Sequence, residues 1–105
     1  LEALRAGAEV AWGGGDVEVV GASRDAGAFF PITLLHNDRP FDRTAPHDVE
    51  AFGPVNTVMP YDSVDEAIAL VKLGKGSLVG SLFTADDRVA REVALGTAAY
   101  HGRLM

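Results

Sequence analysis

The sequence predicts an α/β fold: a mostly parallel sheet with βαβ crossovers, and an antiparallel ribbon near the N-terminus. Three observations carry this. From Asn56 onward, apolar strand-like runs alternate with capped, one-faced helical stretches. That is the pattern of parallel strands joined by right-handed crossovers. The first two strand-like runs are instead joined by a link rich in Gly, Ala, Ser and Asp, residues 21–27, which suits an antiparallel pair. Hydrophobic residues make up 48% of the chain and charged ones 23%, a globular balance. At 105 residues the chain is one domain at most, able to bury about two thirds of its unfolded surface.

The elements follow in order. Residues 1–6 suit the tail of a helix with Gly7 as its C-cap. Residues 8–12 are a short apolar strand, broken by the glycines at 13–15. Residues 16–20 alternate polar and apolar and could extend a ribbon edge. Residues 28–35 are the next strand, in which Pro31 implies an edge or a bulge because a ladder donor is missing. Phe29 and Phe30 would then face opposite sides, leaving one exposed. Residues 36–47 hold two prolines and several charges, and read as an irregular connection with a helical turn before Glu50.

The second half is more regular. Residues 56–61 form a strand, and Ser63 with Glu66 makes a capping box. Val64, Ala67, Ile68, Val71 and Leu73 then share one helical face until residues 74–76 end it. Residues 78–83 read as a buried strand. Residues 84–87 cap a second helix striped by Val89, Ala90, Val93, Ala94 and Ala98. A further strand starts at His101. Trp12 and Phe83 are expected in the core.

Composition excludes several functions. A net charge of −6 opposes a nucleic-acid backbone or an anionic membrane surface as partner. No stretch has transmembrane length and no signal segment opens the chain, so the cytoplasm is expected. With no cysteine there is neither a disulfide framework nor a thiolate metal site. The three histidines, His36, His47 and His101, share no metal-ligand spacing, and the first two are expected in surface loops. The glycines at 13–15 precede no helix, so they read as a tight turn and not a phosphate loop. In the run at 74–77 a Gly follows the Lys where a Walker loop has Ser or Thr. No Ser/His/Asp order sits on an elbow-like turn, so nucleophilic catalysis within the chain is not expected.

The stretch around which the rest is arranged is Val49-Glu50-Ala51-Phe52-Gly53-Pro54-Val55. The Gly-Pro pair forces a bend, and whatever precedes it stops there. Glu50 and Phe52 lie two apart and would point the same way in an extended approach. One offers an acceptor for hydroxyl groups, the other a flat face. On the residues alone, a strand-entry turn with a solvated Glu and a core Phe is the competing reading.

Glu-x-Phe-Gly-Pro-Val leading into a strand resembles the cofactor-contact motif of the aldehyde dehydrogenase superfamily. Four further segments resemble that family in the same order: Gly7-Ala8-Glu9-Val10 with Gly13-Gly14-Gly15, Phe29-Phe30-Pro31-Ile32-Thr33-Leu34, Asp65-Glu66-Ala67-Ile68, and Ser77 to Thr84. The ending Ala99-Tyr100-His101-Gly102-Arg103-Leu104-Met105 departs from the family's usual Gly-Thr-Val-x-Val-Asn. With Pro46-His47 and Gly76-Ser77-Leu78 it resembles the dehydrogenase half of a two-domain family that joins a hydratase-type hot-dog domain and acts in phenylacetate degradation.

The resemblance implies a fragment of a three-layer sandwich from an enzyme that oxidises an aldehyde, free or CoA-linked, to an acid with NADP or NAD. It assigns Glu50 to the nicotinamide ribose and Phe52 to the nicotinamide ring, with no catalytic or metal-binding residue in the chain. The family's nucleophile is a cysteine, so residues 1–105 are expected to be a partial catalytic domain lying C-terminal to the nucleophile loop and lacking the dinucleotide-phosphate site. A cut sheet leaves an unpaired edge, so self-association is expected, as is a homo-oligomeric parent. A CoA-acylating relative and a non-catalytic acidic α/β interaction module are the alternatives.

Overall fold

In the computed structural model, which describes residues Leu1–Met105, the N-terminal half is arranged around one short central strand, β2 (Thr33–His36). On one side β2 pairs antiparallel with β1 (Glu9–Gly13), and on the other parallel with β3 (Val55–Val58). The antiparallel ribbon thus forms as expected. Val10 and Trp12 pair with the consecutive residues Leu35 and Leu34, so Ala11 is bulged out of the ladder. A bulge turns the side chains beyond it, and Trp12 lies 65% exposed, not in the core.

Pro31 does not enter the ladder. β2 is central, with both edges paired, and could not supply the missing donor, so the strand starts only at Thr33. Its threonine hydroxyl donates to the Pro31 carbonyl at 3.0 Å. Phe29 and Phe30 therefore precede the strand, and both are partly exposed. Residues 16–20 form no strand either.

The core of this unit (residues 1–60) is Leu4, Ala8 and the fully buried Leu35, with Ala51 and Val55 packed against them. Leu4 comes from α1 (Glu2–Arg5), capped by Ala6 and not Gly7. Gly7 serves packing: a Cβ there would meet Pro46 at 2.9 Å and Ala45 at 3.0 Å, in the turn α2 (Ala45–Asp48). That turn lies before Glu50, as expected. The connection leading to it is pinned by the buried Asn37, whose amide donates to the Arg43 carbonyl (2.9 Å) and accepts from the Arg39 N–H (3.1 Å). Two exposed ion pairs, Arg39–Asp42 and Arg43–Asp38, brace the loop and contribute little each.

The second unit spans residues 61–105. Ser63 caps α3 (Val64–Leu73) by accepting from the Glu66 N–H at 3.2 Å. The Glu66 carboxylate reaches back to the Asp62 N–H at 2.8 Å, one residue earlier than in the usual box. Strands β4 (Ser77–Gly80) and β5 (His101–Leu104) pair in parallel through α4 (Asp87–Thr97). The β4–α4–β5 crossover therefore closes, whereas β3 and β4 belong to different sheets. Gly96 lets α4 approach α3: a Cβ there would lie 2.8 Å from Ile68 Cδ1.

The run at 78–83 is not a buried strand. Leu78 is 88% exposed, and Phe83, expected in the core, is 94% exposed. Leu78 lies on a two-stranded sheet, which has too little area to cover both faces, and Phe83 lies beyond the end of β4.

Asp86 caps α4, its carboxylate accepting from the Arg88 N–H at 2.8 Å while its own N–H donates to Thr84 Oγ1 at 3.1 Å. Asp86→Ala is expected to cost about 1 kcal/mol, the usual loss of an N-cap acceptor. Urea unfolding should show a shifted midpoint at constant slope, and an unshifted midpoint would remove the cap from the account.

Candidate functional site

The motif at residues 49–55 is held at both ends. Upstream, the Val49 N–H closes α2 on the Ala45 carbonyl at 3.0 Å. His47 within that turn faces the Pro40 carbonyl through Nε2 at 2.8 Å; a carbonyl only accepts, so Nε2 carries the proton. Downstream, the Pro54 carbonyl accepts from the Thr33 N–H of β2 at 2.9 Å. In the middle, Ala51 packs on the buried cluster.

The bend itself is two successive three-residue turns. The Gly53 N–H donates to the Ala51 carbonyl (3.0 Å), and the Val55 N–H to the Gly53 carbonyl (2.8 Å). Gly53 is outside the positive-φ set, so proline and this double turn make the corner without left-handed glycine geometry.

With Ala51 turned inward, its neighbours Glu50 and Phe52 are both exposed, Phe52 to 97%. This excludes the reading of Phe52 as a core residue. Phe52, Gly53 and Pro54 line one side of an open cavity of about 510 Å³. Val17, Ala28, Phe29 and Phe30 line the rest, so no charged side chain borders it. Glu50 is not among its walls. The structure thus puts Phe52 at the cavity and Glu50 outside it.

Phe29, Phe30 and Val17 are wall residues that sequence reasoning did not find. Treating residues 28–35 as a strand sent the two rings to opposite faces. Pro31 was the available signal, because a proline has no N–H to give to a ladder and so interrupts a strand paired on both edges.

The remaining candidates fall elsewhere. Gly13, the last residue of β1, and Gly14 after it have φ of 76° and 73°, and the Gly14 N–H donates to the Ile32 carbonyl at 3.1 Å, so these two glycines continue the β1–β2 pairing and do not make the expected tight turn. Lys75 and Gly76, at φ of 65° and 150°, form a turn. His36 ends β2 and His47 lies in α2, both half-buried and neither in a surface loop. His101 Nδ1 meets Ser77 Oγ at 2.7 Å across the β4–β5 pair.

Residues 1–100 match the model of the aldehyde dehydrogenase family. Among curated relatives, protein MaoC of Klebsiella aerogenes is 47% identical over 96% of this chain and 29% of its own length. The 3,4-dehydroadipyl-CoA semialdehyde dehydrogenase of Aromatoleum evansii is 42% identical over the whole chain and 21% of its length. Of solved structures, lactaldehyde dehydrogenase from Escherichia coli superposes with a TM-score of 0.69 at 32% identity, and 3,6-anhydro-L-galactose dehydrogenase in complex with NAP with 0.73 at 31%. Each of these two alignments covers 98% of this chain and 20% of the other. The chain thus spans under a third of the relatives it matches. A family model covering residues 1–100, with two relatives above 40% identity along almost every residue, leads to one conclusion: the chain belongs to the aldehyde dehydrogenase family.

Proposed function

We propose that this chain is the part of a nicotinamide-dependent aldehyde dehydrogenase that positions the nicotinamide half of the cofactor. The observation that carries this is the family motif folded as an anchored corner, with the exposed Phe52 on a cavity free of charged walls. Uncharged aromatic walls fit a flat ring. They do not fit phosphates, so the diphosphate is held by residues outside this chain. When bound, such a cofactor supplies a hydride acceptor for oxidation of the aldehyde to an acid.

Within the chain the roles divide. The Glu50 carboxylate accepts hydrogen bonds from the ribose hydroxyls, and the Phe52 face limits how the ring can lie. The core contact of Ala51 and the Pro54–Thr33 bond hold both residues on a fixed stretch of backbone. The nucleophilic cysteine lies outside these residues, since the chain contains none.

The substrate is a CoA-linked semialdehyde of aromatic-acid breakdown, as in phenylacetate degradation. What supports it is the 42% identical relative whose name specifies a CoA semialdehyde. Either NADP or NAD fits the ribose and ring contacts equally. The complete enzyme is a homo-oligomer and works in the cytoplasm. The test is an assay of the complete enzyme and of the 105-residue chain, each with a CoA-linked semialdehyde and both cofactors. The complete enzyme should turn over and release an acid; the chain alone should be inactive. Turnover by the chain alone sinks the assignment of the nucleophile elsewhere, and an acyl-CoA product made from added CoA would move the enzyme to the acylating class.

A further inference from the structure

The cavity beside Phe52 has more aromatic surface than one ring contact needs. Phe29 and Phe30 form its other side, both nearly half exposed, with Pro54 at the corner. The placement of Phe29 depends on its neighbour: its ring folds back over Gly27, where a Cβ would lie 2.5 Å from Cε2 and 3.0 Å from Cζ. Gly27 is extended (φ −153°), a conformation open to any residue, so it serves ring packing and not chain geometry. No carboxylate and no cation lies on the cavity wall. Among the side chains on the wall, only the ring faces, whose quadrupole attracts cations, can discriminate charge.

We propose that Phe29 and Phe30, with Phe52, form an aromatic slot for the nicotinamide ring that favours its cationic, oxidised form over the neutral, reduced one. This rests on the cofactor reading above and adds two residues and a redox preference to it. Oxidised nicotinamide is a flat cation, and reduction removes the charge. Of the two forms, only the oxidised ring gains cation–π attraction in the slot, so reduction weakens the hold on the ring and favours release of the reduced cofactor.

The test is direct binding to the complete enzyme without aldehyde, titrating NADP⁺ against NADPH and NAD⁺ against NADH. Phe29→Leu and Phe30→Leu keep an apolar wall but remove a ring. Each should weaken the oxidised form by about two- to fivefold, the worth of an exposed cation–π contact, and leave the reduced form almost unchanged. Phe29→Tyr keeps the face and should retain the wild-type ratio, which separates ring electrostatics from packing. Gly27→Ala, which displaces the Phe29 ring without deleting a wall residue, should lower the ratio as Phe29→Leu does. An unaltered oxidised-to-reduced ratio in both leucine variants overturns the slot. If Phe52→Leu changes it while they do not, the cofactor reading stands and only the slot fails. If Phe52→Leu also leaves both affinities untouched, the cofactor reading itself is wrong.

Discussion

Gly13→Ala is expected to unzip the β1–β2 ribbon, at a cost of at least about 3 kcal/mol. Two penalties add. Gly13 has φ of 76°, a conformation that costs a side chain roughly 1–2 kcal/mol. A Cβ there would also overlap the Ile32 carbonyl oxygen. That oxygen accepts the Gly14 N–H, so moving away breaks the bond that closes the ribbon. The clash is with backbone, which no rotamer change relieves. Hydrogen exchange on the complete enzyme should show lost protection at the β1 and β2 amides, while α3 and α4 keep theirs. Gly15→Ala is the internal control, since nothing lies within 4 Å of a Cβ there and its φ is not positive. Wild-type protection in Gly13→Ala would show that the bulge at Ala11 absorbs the strain.

Glu50→Gln in the complete enzyme is expected to slow hydride transfer by about tenfold or more, with a smaller loss of cofactor affinity. The substitution keeps volume but removes the charge and one of the two carboxylate oxygens. Hydrogen bonds to a charged group contribute roughly 1.5–3 kcal/mol, which sets the size of the effect. Contacts outside this chain still hold the adenosine end, so affinity falls less than geometry. A loosely held ring spends less time at transfer distance. The structure sharpens the contrast with a merely solvated Glu. Glu50 is exposed, so without a cofactor role its replacement should change stability and turnover by under about half a kcal/mol. Single-turnover kinetics with a pre-bound aldehyde would falsify the ribose role if the transfer rate is unchanged.

Much of the local structure was legible in the chain itself. The Ser63 and Asp86 caps, the helical turn before Glu50 and the parallel β4–α4–β5 unit all follow from short-range chemistry: side-chain acceptors for free helix N–H groups and apolar periodicity. The motif at 49–55 was legible for a related reason. Gly-Pro sets the corner locally, while the roles proposed for Glu50 and Phe52 rest on the family resemblance.

Only the tertiary structure decided which apolar residues are covered and which side chains meet. Leu35 is buried because β2 has a strand on each side and the Leu4–Ala8 cluster against it. Leu78, no less apolar, stays exposed because a two-stranded sheet cannot cover both faces, and Phe83 stays exposed beyond the end of β4. Pro31 marked a disruption in the sequence. That it stands just ahead of a central strand instead of within an edge strand depended on β3 pairing from distant residues. The same long-range pairing, through the Thr33–Pro54 bond, places Phe29 and Phe30 at the cavity with Phe52. Proximity across more than twenty residues of chain is set by which strands pair, and periodicity within a strand carries no information about that.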